Sequence, residues 1–222
     1  MTQIEIKMIV TIIVKSHNSH HPPLDYDLAG ILVIGGETSW SAVEFWSSTN
    51  ADQESCQLSD YPRVMYYGPT VSIVGNNKLI ACYYKSCEIY QEGAWEHLQD
   101  TIERRMYHSA VELREKLLLI GGSSSNSTEF IPVDGSDASP GPFTVRHGEW
   151  HCTMKISEEV IVVTGGSSTE GLVTEYQLTD GRETALTPLT EGRFAHACGV
   201  YKEADGQQVS GEVQIRLFAD HG

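Results

Sequence analysis

Three apolar runs in this chain each end in a pair of glycines: ILVIGG at 31–36, LLLIGG at 117–122 and IVVTGG at 161–166. The first glycines of the pairs are 86 residues (121 − 35) and 44 residues (165 − 121) apart, so the longer spacing is close to two of the shorter. Self-similarity at about 40–50 residues is typical of propellers and solenoids, which repeat one small unit. The chain is therefore predicted to be a repeat protein whose structural glycines are Gly35, Gly36, Gly121, Gly122, Gly165 and Gly166.

A glutamate beside aromatic or β-branched residues marks a second strand in each repeat. These residues are Glu44, Glu88, Glu129 and Glu175, at steps of 44, 41 and 46 residues. The second repeat has no glycine pair, and Ala81-Cys82 is predicted to take its place. Four copies in one register indicate four repeats.

An Arg-x-x-His element precedes the buried strand in two repeats. It occurs as Arg105 to His108 and as Arg193 to His196, and Arg146 with His151 is a looser version. Each repeat is then predicted to contain a strand after the histidine, a buried strand ending at the glycines, a strand with the glutamate, and an outer strand. Four antiparallel strands of this kind form one propeller blade, and Trp95 is placed on the outer strand of the second repeat.

The combined pattern resembles kelch repeats over roughly residues 17 to 200. The resemblance rests on the glycine pairs, the glutamates, Arg-x-x-His and Trp95, although the other repeats have Leu58, Phe143 and Leu189 near the tryptophan position. It implies an all-β, kelch-type β-propeller of four-stranded antiparallel blades. About four to five blades are expected, either incomplete or closed by the N-terminal strand.

The expected organisation is an N-terminal strand or extension at 1–16 followed by the propeller at 17–222. The blades are predicted at 17–62, 63–104, 105–145 and 146–192, with a partial one at 193–222. Alternating apolar residues near the N-terminus predict a strand that could pair with the last blade, and Val213, Ile215 and Leu217 predict another strand.

Charge and hydropathy exclude two classes of partner. The chain has 15 basic and 30 acidic residues, for a formal net charge of −15. Duplex binding needs clustered Lys and Arg, so no nucleic-acid partner is expected. No apolar stretch reaches the roughly 20 residues that span a bilayer, so a soluble protein with no membrane partner is predicted.

Five cysteines leave at least one thiol unpaired, which favours a cytoplasmic protein over a secreted one. Cys82 and Cys87 flank a short Tyr-Tyr-Lys-Ser segment, where a disulfide is conceivable, but two buried thiols are the favoured interpretation. The sequon Asn126-Ser127-Thr128 has meaning only in a secreted chain.

Five of the eight arginines lie at the predicted junctions between repeats. In kelch adaptors the arginines on this face often hold acidic peptides, so the resemblance implies a protein or acidic peptide as partner. Arginine binds carboxylates through two parallel hydrogen bonds, and aromatic residues add contact energy. The alternative is that each arginine braces its own repeat. The candidate partner-binding residues are Arg63, Arg104, Arg105, Arg146, Arg193, Tyr66, Tyr107 and Trp150.

A non-catalytic interaction module is the favoured function, with no cofactor and no metal. His108, His151 and His196 recur at equivalent positions, which favours packing over metal binding because three ligands must converge within about 2 Å of one ion. One alternative is a copper-dependent oxidase relic. The kelch-like galactose oxidase uses copper with two Tyr, two His and a Tyr cross-linked to Cys, and here Tyr83 and Tyr84 adjoin Cys82, although the sequence places no two His beside them. Another is a partial propeller without independent function.

Overall fold

A computed structural model describes the chain over residues 9–10, 30–34, 41, 43–47, 55–63, 70–74, 78–200 and 215–218. Throughout this part the chain forms β-strands joined by turns and loops, and none of it is helical. The prediction of an all-β fold is confirmed. The described residues include no helix of the length and apolarity that a membrane crossing needs.

The strands form antiparallel sheets in which strands that follow one another along the chain are also neighbours. The first sheet contains β1 (Ile9–Val10), β2 (Gly30–Ile34), β3 (Val43–Ser47) and β4 (Ser55–Gln57). The second contains β5 (Thr70–Val74), β6 (Lys78–Gln91) and β7 (Ala94–Arg105). The third contains β8 (Ser109–Leu113), β9 (Lys116–Ile120), β10 (Ser127–Pro132) and β11 (Ser139–Thr144). The fourth contains β12 (Cys152–Lys155), β13 (Val160–Thr164), β14 (Val173–Gln177) and β15 (Glu183–Ala185), and the fifth contains β16 (Ala197–Val200) and β17 (Ile215–Phe218).

Two of the apolar runs found in the sequence, on β9 and β13, are strands with both faces buried. On β9, Leu118 and Ile120 join the cluster that includes Val163 of the fourth sheet. Leu117 and Leu119 point the other way, into a cluster with residues of the second sheet. Successive side chains of a strand face opposite sides, so a strand packed on both sides is apolar without alternation. The third sheet is therefore packed between the second and the fourth.

The first strands of successive sheets lie side by side. Strand β5 contacts β8, β8 contacts β12, and β12 contacts β16. The sheets thus follow one another in chain order, and each packs on the next.

The second sheet departs from the predicted register at its missing glycine pair. Thr70 lies opposite Cys82, as Ser109 lies opposite Ile120 in the third sheet. Cys82 therefore corresponds to Ile120, and Tyr83-Tyr84 take the places of the two glycines. The prediction that Ala81-Cys82 stand there is wrong by two residues, because the apolar pattern does not show where the strand ends.

Two disulfides correct the interpretation of the cysteines as buried thiols. Cys82 and Cys87 are bonded and close the turn at 83–86. Cys152 and Cys198 are also bonded, and they join β12 to β16 across two sheets. Their separation of 46 residues means that the bond restricts a long loop of the unfolded chain, a contribution of about 4 kcal/mol in the chain-entropy treatment.

The ends of the chain differ from the expectation that the N-terminal strand completes the last repeat. In the structure β1 pairs with β2, with Ile9 opposite Val33, so this segment belongs to the first sheet. The fifth sheet obtains its second strand from β17, which pairs with β16. The predicted strand around Ile215 and Leu217 is therefore confirmed.

The first glycine of a pair is required by the histidine of the next repeat. Gly121 and Gly165 have φ of +60° and +65°, which favours glycine. A Cβ on Gly121 would lie 2.9 Å from Cε1 of His151. A Cβ on Gly165 would lie 2.6 Å from Cε1 of His196 and would clash with the Arg193 carbonyl oxygen. The glycine and histidine motifs recur together because they are in contact.

We expect Gly165→Ala to lower the free energy of unfolding by about 2 kcal/mol or more, because it adds backbone strain and a clash with backbone. Urea denaturation measures the change. Gly171→Ala is the matched control, since no atom lies within 4 Å of the Cβ position there. The control should change stability by less than about 1 kcal/mol. Equal losses in the two variants would contradict the packing role of Gly165.

Candidate interaction site

The antiparallel topology brings the recurrent motifs to one end of the sheets. Strand β9 runs toward this end and stops at Gly121, and β11 returns to it before the connection at 145–151. The same holds for the fourth sheet. We define the loop face as segments 83–86, 104–108, 121–126, 145–151, 165–172 and 190–196.

Backbone hydrogen bonds link three connections of the loop face. The Trp150 amide donates to the Tyr107 carbonyl at 3.0 Å, and the Ala195 amide donates to the Trp150 carbonyl at 2.9 Å. All three residues have left-handed φ, at 56°, 66° and 51°, and each directly precedes a histidine. The Tyr107 and Trp150 rings also stack, with centroids 3.8 Å apart. This part of the face is consequently fixed by main-chain contacts as well as by ring stacking.

Arg105 is buried and holds the third sheet. Its Nη1 donates to the carbonyls of Gly121 at 2.9 Å and Ser127 at 2.7 Å, and its Nη2 donates to Oγ of Ser127 at 2.6 Å. Its Nε lies 3.5 Å from Oε1 of Glu129. With 1% of its surface exposed, Arg105 presents no charge to a partner. The structure gives it the bracing role that the sequence left as the alternative.

Glu129 also reaches back to the preceding sheet. Its Oε2 accepts hydrogen bonds from the amides of Ile102 at 3.1 Å and Glu103 at 3.4 Å, both on edge strand β7. Glu129 therefore satisfies backbone donors that an edge strand leaves open.

Glu88, one sheet earlier, is likewise paired with an arginine, but its other donors are hydroxyl groups. Nε of Arg63 donates to Oε1 of Glu88 at 2.9 Å, and the hydroxyls of Tyr61 and Ser86 donate to the same carboxylate. Burial and the neighbouring carboxylate raise the pKa of Tyr61 far above its usual range, so the phenol stays protonated and acts as a donor. Arg63 is half exposed, with 53% of its side chain accessible.

In the connection between the third and fourth sheets, a histidine occupies the inward position that the sequence pattern assigned to Arg146. His147 is buried, and its ring nitrogens lie 2.8 Å from the Gly165 carbonyl and 3.1 Å from Oγ1 of Thr174. It therefore corresponds to Arg105, and burial lowers its pKa. Arg146 points outward and forms an ion pair with Glu183.

The remaining predicted residues are dispersed over the face. Arg104 is exposed and lies over the Tyr84 ring at 5.1 Å, while Arg193 is 3.5 Å from the Glu191 carboxylate.

Among the predicted structural residues, Trp95 is on β7, and its Nε1 donates to the Ser59 carbonyl. Four predicted glutamates lie on β3, β6, β10 and β14. Three predicted residues, Tyr66, Gly35 and Gly36, lie outside the described residues.

A cleft that the sequence did not predict opens beside the disulfide-closed turn. We call it the hairpin cleft; its volume is about 430 Å³, and it is lined by Arg63, Tyr83, Tyr84, Lys85, Ser86 and Asp100. The pairing of β6 with β7 shifts register between Tyr84 and Ser86, beside the cleft, and Tyr84 has φ of 59°. The one sequence signal was the pair of cysteines around Tyr-Tyr-Lys-Ser.

The recurrent histidines pack between repeats. Nε2 of His151 lies 2.8 Å from Oγ of Ser109, and Nε2 of His196 lies 2.9 Å from Oγ1 of Thr164. Burial lowers the pKa of His108 to about 3 and that of His151 to about 4. Across the described part of the chain, no three His, Cys, Asp or Glu side chains are grouped so as to hold a metal ion.

The comparisons with known proteins establish the fold alone. No family model matches the sequence, and no curated protein matches it. Among solved structures the chain is similar to the structure of YjhT, with a TM-score of 0.67 and 11% sequence identity. The similarity covers 77% of this chain and 66% of that one, so the chain spans slightly less than two thirds of YjhT.

Adjacent arginines provide a test of the bracing role. We expect Arg105→Ala to lower the free energy of unfolding by about 3 kcal/mol, because Glu129 would remain buried without its cation. Arg104→Ala, one residue away and exposed, should cost less than about 1 kcal/mol. Thermal or urea denaturation measures both. Similar costs for the two variants would contradict the assignment.

Acid should destabilise the protein through its buried histidines. Histidine in the unfolded chain titrates near 6.5, so below that pH the unfolded state binds more protons than the folded one. Stability should therefore be full above about pH 6.5 and fall toward pH 4, by up to about 1.4 kcal/mol per pH unit for each buried histidine.

Urea midpoints between about pH 7.5 and about pH 5 measure this slope. The double variant His108→Gln/His151→Gln should show a shallower slope than the wild type. His97→Gln is the control, because 54% of that side chain is exposed. An unchanged slope in the double variant would contradict the role of the buried imidazoles.

Proposed function

We propose that this chain is a non-catalytic interaction module that binds an acidic peptide segment of a protein at its loop face. The hairpin cleft is the observation that carries the proposal. It combines two cations, Arg63 and Lys85, with exposed aromatic surface, and Arg104 lies over Tyr84 at its edge.

We further propose that the sheets are blades of a kelch-type propeller. Support comes from the face-to-face packing of successive sheets and from the neighbouring first strands β5, β8, β12 and β16. The contact between the glycine of one sheet and the histidine of the next adds to it. In a propeller, the loop face is one end of the ring, where connections from several blades converge.

The chemistry of the cleft suits a carboxylate ligand. Lys85 and Arg104 are exposed, while Arg63 is already bound through Nε to Glu88 and would act mainly as a fixed neighbouring charge. Tyr84, with 40% of its surface exposed, offers an aromatic face. Asp100 also lines the cleft and would repel a ligand carboxylate placed next to it. The cleft therefore has a cationic side and an anionic side. The protein's net charge of −15 makes this local group of cations stand out from its surroundings.

The alternatives from the sequence gain no support from this geometry. Cys82 is bonded to Cys87, so its sulfur is not joined to a tyrosine, as the cross-link of a galactose-oxidase-like centre requires. His151 and His196 are engaged between repeats, where their ring nitrogens contact hydroxyls and backbone. A non-catalytic role fits both facts.

Charge reversal at the cleft tests the proposal. A fluorescent library of acidic peptides, with a matched library carrying Gln and Asn in place of Glu and Asp, is titrated with the wild type. We expect selective binding of acidic members that weakens with salt, and a loss of about tenfold or more in Lys85→Glu/Arg104→Glu.

The matched control is Arg182→Glu, which reverses an exposed charge in the turn at the opposite end of the fourth sheet. It should bind like the wild type. If the cleft variant binds the same peptides with unchanged affinity, the hairpin cleft is not the site. If neither library binds, an acidic peptide is not the ligand.

A further inference from the structure

We propose that Asn126 carries an N-linked glycan and that the chain folds in an oxidising secretory compartment. Asn126-Ser127-Thr128 is the one Asn-x-Ser/Thr sequence in the 222 residues. The proposal does not rest on the function proposed above. Two independent features of the structure support it.

The first feature is the placement of the sequon. Asn126 is exposed in the loop that leads into β10. Its carbonyl accepts a hydrogen bond from the Val145 amide at 2.7 Å, which fixes the backbone while the side chain faces solvent.

The two residues that follow point inward. Oγ of Ser127 binds Nη2 of Arg105, and Oγ1 of Thr128 donates to the Phe143 carbonyl at 2.7 Å. The acceptor nitrogen of Asn126 is thus the outward group of a rigid turn. A sugar there displaces no packed side chain.

The second feature is the cysteine chemistry. Four of the five cysteines form two disulfides, one closing a turn and one joining two sheets. Cys82 and Cys87 are fully buried, so their bond belongs to the folded core. Disulfides form and persist in oxidising compartments and are rare in the cytosol. N-glycosylation belongs to the same secretory route, and the sequon and the disulfides therefore indicate one environment.

The modification is a group transfer without change of oxidation state. Nδ2 of Asn126 forms a bond to the anomeric carbon of an oligosaccharide carried on a lipid pyrophosphate. The bond between that carbon and the pyrophosphate oxygen breaks, the lipid pyrophosphate leaves, and the amide loses one proton.

The glycan would occupy the loop face without filling the hairpin cleft. The cleft is lined by residues 63, 83–86 and 100, and none belongs to the 121–126 loop. The sugar and an acidic ligand therefore take separate places on one face.

The protein isolated from its own source cells provides the test. Treatment with an amidase that removes N-glycans should reduce its mass and convert Asn126 to aspartate in the tryptic map. Cys82, Cys87, Cys152 and Cys198 should resist alkylation in denaturant until a reductant is added.

Two variants expressed in the same cells supply matched controls. Asn126→Gln should lose the mass shift and keep the wild-type melting temperature, since the side chain is exposed. Thr128→Ser preserves the sequon and should keep the shift. Recovery of unmodified Asn126 from the natural protein would overturn the proposal. Recovery of the four cysteines as free thiols would overturn it as well, because it would place the chain in a reducing compartment.

Discussion

In three of the described connections between sheets, a side-chain donor ties the connection to the sheet that follows it. Arg63 reaches Glu88, Arg105 reaches the Gly121 carbonyl and Glu129, and His147 reaches the Gly165 carbonyl. Burying a cation is costly unless it is paired and its donors are used, and Arg105 meets this condition with three acceptors on the third sheet. The glutamate completes the link by accepting the open amides of β7. These contacts add polar links to the apolar packing between successive sheets.

The same connections present a second, outward set of side chains. Arg104 precedes the buried Arg105, and Arg146 precedes the buried His147, so one residue of each pair stabilises the fold while its neighbour faces solvent. Alternate residues of extended chain face opposite sides, which separates the two roles by a single position. Surface charges can therefore change between repeats without disturbing the interior. The hairpin cleft shows how far one repeat can diverge, since Tyr83 and Tyr84 replace the glycine pair there and a disulfide joins the residues on either side.

Periodicity in the sequence predicted the parts of the fold that repeat. The apolar runs became the doubly buried strands β9 and β13, and the recurrent glutamates fell on equivalent strands. The departures arise where one repeat uses different chemistry for the same task. In the connection between the third and fourth sheets the inward residue is His147, whereas the sequence pattern assigned this position to Arg146. Spacing alone cannot show which of two adjacent side chains turns inward.

The site was harder to predict than the fold. The hairpin cleft depends on a register shift in β6 and on the pairing of Cys82 with Cys87, and neither has a periodic signature. The count of five cysteines indicated a leftover thiol but carried no information about the partners of the other four.

The bond between Cys152 and Cys198 also determines how the molecule transmits force. It joins first strands of two sheets, whereas the other described links between sheets are hydrogen bonds, ion pairs and packing. A pull applied beyond β16 passes through a covalent bond into β12, an edge strand of the fourth sheet, without having to shear the interface between the two sheets. Under tension the fourth and fifth sheets would yield as one mechanical body, and the first separation would occur at a junction held only by noncovalent contacts.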